Sequence, residues 1–151
     1  MMYVHKMHML LKVAMMMFMC NHNTPLHNKN IISNKLLCKG QPNVHSYICN
    51  NGLTTFTLYN ILDTCTRNIL LYHNINNASH GNTTIKNFLI QNSDMQICLC
   101  HSDIQHVLTN TSKYIDYEMF FGSFEKALNN KNKHFSKVLG LYKISFYKSI
   151  F

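Results

Sequence analysis

Residues 44–62, VHSYICNNGLTTFTLYNIL, contain the clearest local signal in the sequence. Two stretches rich in Val, Tyr, Ile, Phe and Thr lie on either side of Asn50-Asn51-Gly52. Because an Asn-Gly pair readily adopts the positive φ angles of a type I′ turn, the pattern is typical of two strands joined by a tight loop. The stretch therefore predicts a central β-hairpin over about residues 44–62.

The C-terminal stretch has a helical pattern instead. Phe135, Val138, Leu139, Tyr142 and Phe146 recur at the three- and four-residue spacing of one helix face. This spacing predicts a C-terminal helix that buries that face and leaves its lysines in water. Together with the hairpin it predicts the α+β class, as a small single domain with N- and C-terminal helices.

Residues 1–20 hold eight of the ten methionines. Apolar residues recur there at helical spacing, which predicts an amphipathic helix. The segment also has features of a signal peptide in degraded form, because Lys12 interrupts its apolar stretch and no small-residue cleavage site follows Cys20. Both interpretations stay open at this point.

The remaining residues, 21–151, are predicted to form one small domain with Asn-rich loops. Leu, Ile, Val and Phe account for 43 of the 151 residues, above the level of chains too polar to collapse. Local signals disagree in several segments, which predicts a marginally stable fold. No apolar run reaches the length of a membrane-spanning helix.

Codon bias accounts for much of the composition. Phe, Tyr, Met, Ile, Asn and Lys, which AT-rich codons encode, make up 73 of the 151 residues, and Lys outnumbers Arg 13 to 1. This bias fits a protein from an AT-rich genome. It also fits the product of an AT-rich open reading frame without an evolved role.

Charge is spread unevenly along a chain whose net charge is +8. Residues 126–151 contain six lysines and no acid, while all six acids lie between residues 63 and 125. A basic tail with interleaved aromatic residues can bind nucleic acid or lie on an anionic membrane surface. The lysines that would contact an anionic surface are Lys131, Lys133, Lys137, Lys143 and Lys148. A solvated helix surface is the simpler interpretation.

The densest set of metal-capable residues is Cys98, Cys100, His101 and His106. Thiolate and imidazole are the ligands that zinc prefers, but the set lacks a C-x-x-C pair. His101 and His106 are five residues apart, which would place them on different faces of a helix. The sequence therefore predicts no metal site and no cofactor.

Six cysteines could form disulfides in a secreted chain, and Cys49 and Cys65 bracket the predicted hairpin closely enough for a bridge. In a reducing compartment the same cysteines would be small core side chains. Glycosylation sequons begin at Asn77, Asn82 and Asn110, about as many as the Asn, Ser and Thr content predicts by chance. They would matter only in a secreted protein.

Recognisable catalytic arrangements are absent from the sequence, so we predict no catalytic residues and a non-enzymatic protein. Composition does not identify a biochemical function, and a chain without an evolved role is the first hypothesis. The alternatives are a small secreted, disulfide-containing protein that binds another protein, and a basic module that binds nucleic acid or a membrane surface through its tail. Secretion and an intracellular soluble location both stay open.

Overall fold

The computed structural model describes residues 42–91, 96–102 and 106–151, together with the backbone of residues 31 and 32. These residues form an α+β fold, which confirms the predicted class. The helices are α1 (Val44–Asn50), α2 (Thr55–Asn76), α3 (Asn110–Ala127) and α4 (Ser136–Ile150). The strands are β1 (Ile31–Ile32), β2 (Ala78–Ser79), β3 (Phe88–Gln91), β4 (Gln96–Cys100) and β5 (His106–Val107).

The predicted hairpin over residues 44–62 is wrong, because this stretch forms α1 and the beginning of α2. Asn43 caps α1 with a reciprocal pair of bonds, in which its Oδ1 accepts from the Ser46 amide at 2.8 Å. Thr54 caps α2 from one side only, since its Oγ1 accepts from the Thr57 amide at 3.2 Å. Both polar residues therefore begin helices rather than mark the ends of strands.

The Asn-Gly pair does not adopt the turn geometry on which the hairpin prediction depended. Asn51 has φ −124° and ψ 140°, an extended conformation that ends α1. Positive φ occurs instead at Asn77 and Gly81 within the described residues. The apolar positions of α2 continue past Leu62 at helical spacing, so a window that stops at this residue hides the period.

The strands form two small sheets. In the first, β4 is central, with β3 antiparallel on one side and β1 parallel on the other. An antiparallel pair is therefore present, but it lies about 40 residues after the predicted position, where Phe88 pairs with Leu99. The second sheet joins β2 to β5 in antiparallel register.

The four helices and the first sheet share one hydrophobic core. Buried Asn68 of α2 donates from its Nδ2 to the carbonyl of Ile97 in β4 at 3.1 Å, which fixes α2 against the sheet. The largest side chains that are fully enclosed in the core are mostly aromatic: Tyr72, Phe88, Tyr117, Phe120, Phe121, Phe124, Phe135 and Phe146. Most of these aromatic residues belong to α3 and α4.

The C-terminal helix agrees with its prediction, since Val138, Leu139, Tyr142 and Phe146 are all buried along α4. Phe135, which directly precedes the helix, is also buried. The expected N-terminal helix, or signal-peptide-like segment, of residues 1–20 lies outside the described residues. None of the described helices combines the length and apolar character needed to cross a membrane.

Candidate functional site

The orientation of α4 is set by buried polar contacts to α2. The Tyr142 hydroxyl lies 2.7 Å from Thr66 Oγ1 and donates to Asp63 Oδ1 at 3.1 Å. Burial raises the pKa of Asp63, although Arg67 at 3.0 Å and the Tyr142 bond oppose that shift. Because Tyr142 is buried, α4 cannot rotate without leaving its hydroxyl without these partners.

A second set of contacts joins α4 to α3. Glu118 Oε1 accepts a hydrogen bond from the Tyr147 hydroxyl at 2.5 Å and lies 2.8 Å from Lys143 Nζ. The ammonium of Lys143 also lies 5.8 Å from the centre of the Tyr147 ring. The two sets of contacts together leave the remaining side of α4 facing solvent.

This solvent-facing side combines lysines with large apolar residues. Lys137, Leu141, Ile144, Lys148 and Phe151 follow one another at intervals of four and three residues, so they lie along one stripe of the helix. Leu141 is 37% exposed, Ile144 56% and Phe151 50%, and both lysines are exposed. We call these five residues the α4 outer face.

Aromatic rings extend this surface onto α3. The ring of Tyr114, which is 47% exposed, lies 5.2 Å from that of Tyr147 and 6.2 Å from that of Phe151. Tyr147 and Phe151 are themselves 5.9 Å apart. The α4 outer face therefore continues into a cluster of partly exposed rings at the C-terminal end of the helix.

The predicted anion-contacting lysines fall into two groups. Lys131, Lys133, Lys137 and Lys148 are exposed, and among the described residues none of them has an acidic partner. Lys143 is paired with Glu118, so its charge is partly neutralised. Lys126 is a sixth basic residue of this segment, at the end of α3, and it too is exposed.

A second polar cluster is buried around Asp116 of α3. Its Oδ2 accepts from His73 Nε2 and from the His80 amide, both at 2.7 Å, and its Oδ1 accepts from the Gly81 amide at 2.8 Å. Burial alone would raise the pKa of Asp116, but these hydrogen bonds outweigh it and lower the pKa below its ordinary value. The cluster thus holds an ionised carboxylate inside the core.

The Asp116 cluster lacks the accessibility that catalysis requires. The side chains of His73 and Asp116 are each 1% exposed, and the buried Nδ1 of His73 has no hydrogen-bond partner among the residues that the structure describes. His80 donates from Nε2 to the carbonyl of Cys100 at 2.6 Å, and burial lowers its pKa despite that bond. The cluster instead ties α2, α3 and the loop after β2 together.

Sequence reasoning missed this cluster because His73 and Asp116 are 43 positions apart and no motif joins them. The two acids in the middle of α3 lie on different faces of the helix, since Asp116 points into the core and Glu118 outward to Lys143. The available signal in the sequence was an acidic residue, Asp116, within a helix that has an aromatic face.

The four metal candidates occupy different environments. Cys98 and Cys100 are buried in β4, His101 follows the strand, and His106 is exposed in β5. The Cys98 thiol donates to Gln91 Oε1 at 3.6 Å. Among the described residues, no group of three or more Cys, His, Asp or Glu side chains is arranged to bind a metal ion.

The proposed Cys49–Cys65 bridge is wrong, because both residues are free thiols. Cys49 is exposed on α1, whereas Cys65 is enclosed in the core on α2, where burial raises the pKa of its thiol well above the ordinary value. The two positions bracket a hairpin that does not exist. Cys100 is disulfide-bonded, and its partner is not among the described cysteines.

The sequon asparagines all have exposed side chains. Asn77 ends α2 in a left-handed conformation, Asn82 lies in the following loop, and Asn110 is the first residue of α3. Thr83 in the second sequon is buried, with its hydroxyl donating to the Asp116 carbonyl. Accessible asparagines are a condition for glycosylation and do not by themselves indicate it.

The fold and its surface define a small α+β chain with a basic, partly apolar helix exposed at one side. No protein-family model, curated protein or solved structure matches it.

Proposed function

We propose that this chain is a non-enzymatic binding protein that attaches to an anionic partner through the α4 outer face. The observation that carries the proposal is the presence, on one exposed stripe, of large apolar side chains together with two lysines that have no acidic partner among the described residues. Exposed apolar residues bordered by charge are typical of binding surfaces. Residues 126–151 contain six lysines and no acid, so this part of the chain is positively charged.

The absence of catalysis is part of the proposal. The His73–Asp116 contact is the arrangement closest to a catalytic pair among the described residues, and the core encloses it. A substrate would have to displace Tyr117, whose ring lies 5.5 Å from that of His73. Both features support a structural role for the pair.

Retention on immobilised heparin in a salt gradient tests the proposal. We expect the full chain to bind, and the double variant Lys137→Gln/Lys148→Gln to elute at clearly lower salt. The slope of log affinity against log salt should fall by about two, since two phosphate-like contacts are lost. Lys86→Gln, in the turn before β3, is the control for lost charge away from α4.

Equal elution of the double variant and the Lys86→Gln control would contradict the proposal. An open reading frame product without an evolved role is the competing hypothesis, and it predicts no dependence on the position of the lysines. It also predicts gradual unfolding, whereas a folded binding protein of this size should unfold cooperatively.

Secretion is the second candidate, and one observation favours it. Disulfides persist mainly in oxidising compartments, and Cys100 is disulfide-bonded. In that case the chain would be a small secreted, disulfide-containing protein that binds another protein. The intact mass of the chain from its own source, with and without reduction before alkylation, tests this candidate. Alkylation of all six cysteines without reduction would contradict it.

A further inference from the structure

We infer that the anionic partner is the surface of a phospholipid bilayer, on which α4 lies with Leu141, Ile144 and Phe151 directed into the interface. This inference rests on the proposed function and identifies the class of partner. The lysines at positions 137 and 148 would then contact lipid phosphates on either side of the inserted residues.

The first argument is the order of residues along the stripe. Leu141 and Ile144 stand between Lys137 and Lys148, and a helix rises about 1.5 Å per residue, so the backbone positions of the two lysines are about 16 Å apart along the helix axis with apolar residues between them. Lysine stems can follow an apolar surface while the ammonium group reaches outward. Such an alternation suits a bilayer interface, where phosphates lie directly above acyl chains.

The ring cluster at the end of α4 supports the same partner. Tyr114 and Phe151 are about half exposed and are joined through Tyr147. Aromatic residues, and tyrosine in particular, are enriched at the boundary between headgroups and acyl chains because they combine an apolar ring with a polar end. The rings would extend the contact beyond the helix itself.

Nucleic acid fits the same surface less well. Of the four aromatic residues that the sequence offered for stacking on bases, Phe135, Tyr142 and Phe146 are enclosed in the core, and Tyr147 is partly buried with its hydroxyl bonded to Glu118. The exposed side chains between the lysines are Leu141 and Ile144, which have neither a ring to stack nor a group to hydrogen-bond with a base. Residues 126–151 also contain no arginine, the residue that most often recognises phosphate by two hydrogen bonds.

Cosedimentation with vesicles tests the inference on the full chain. One set of vesicles is phosphatidylcholine, and the other is equal parts phosphatidylcholine and phosphatidylserine. We expect binding to the mixed vesicles that weakens with salt, and little binding to phosphatidylcholine alone. Replacing the two lysines by glutamine should reduce the partition constant by about thirty-fold.

The apolar residues require their own variant. Leu141→Ser/Ile144→Ser should reduce vesicle partition by about tenfold and leave heparin retention unchanged, because heparin offers no apolar interior. Val107→Ser, at an 82% exposed residue of β5, is the matched control. Since all these side chains are exposed, far-UV circular dichroism and the unfolding temperature should match those of the wild type.

Each outcome has a distinct meaning. Vesicle binding that survives both double variants would overturn the inference, because the contact would lie elsewhere in the chain. Binding to heparin and duplex DNA without binding to mixed vesicles would also overturn it and leave the proposed function intact. Failure to bind heparin, duplex DNA or mixed vesicles would contradict both the inference and the proposed function.

Discussion

The Nε2 atom of His73 lies 2.7 Å from Oδ2 of Asp116, and both side chains are 1% exposed. The same carboxylate also accepts two backbone amides from the loop that follows β2. One buried acid therefore joins α2, α3 and that loop. Its removal would leave three donors without an acceptor inside the core.

We accordingly expect Asp116→Ala to be severely destabilising. Breaking a buried, hydrogen-bonded pair by removing one partner costs about 3–5 kcal/mol, because the groups left behind stay buried and unpaired. Urea unfolding followed by circular dichroism measures the change. Glu118→Gln is the control on the same helix, where a partly exposed ion pair contributes at most about 1 kcal/mol. Similar losses in the two variants would show that the Asp116 cluster is not a structural centre.

The lowered pKa of Asp116 predicts a pH dependence of stability. In the unfolded chain this carboxyl titrates near its ordinary pKa of about 3.9, whereas in the folded state it stays ionised at lower pH. Its contribution is therefore complete above that ordinary pKa and is lost as the pH falls through the folded value. Unfolding free energies of the wild type and Asp116→Asn, measured from neutral to acid pH, should converge below about pH 4. A constant difference down to pH 2 would contradict the assignment.

Gly81 is required by its backbone conformation. Its φ of 86° directs the amide toward Asp116 Oδ1, and a residue with a side chain rarely adopts that angle. Gly81→Ala should therefore reduce the free energy of unfolding by about 1 kcal/mol or more. Gly140→Ala, at an exposed helical position where an added methyl group meets no neighbour, should instead be neutral or stabilising. Denaturant midpoints of the two variants test this difference in sign.

The reactivity of Cys49 and Cys65 with a thiol reagent tests whether the core is closed in the native protein. Cys49 is exposed and Cys65 is completely buried, so a thiol reagent should modify Cys49 in the native protein and reach Cys65 only when the chain opens. In a stable domain, burial should slow the modification of Cys65 on the order of a thousandfold. Peptide mapping by mass spectrometry assigns each modification, and Cys49→Ser removes the fast one. Equal rates at both cysteines would support a marginally stable fold.

A local pattern predicted the structure correctly where it permitted only one interpretation of its segment. The spacing from Phe135 to Phe146 continues over several turns and permits a single buried face, so α4 could be predicted from the sequence. Residues 44–62 were ambiguous, because the same polar residues serve as turn residues and as helix caps. Asn43 and Thr54 became caps in the structure, and the Thr-rich stretch after Gly52 became helical.

The sequence by itself determined the C-terminal helix and the basic charge of residues 126–151, because each depends on composition or on spacing within one element. The predicted α+β class is confirmed, although the hairpin that supported it lies elsewhere in the chain. Only the tertiary structure decided which acid is buried and which apolar residues of α4 remain outside. Both depend on contacts between distant segments: Asp116 meets His73 across 43 positions, and Tyr142 meets Asp63 across 79. No periodicity encodes such pairings, since they arise when helices pack and most buried polar groups are paired across the packed elements.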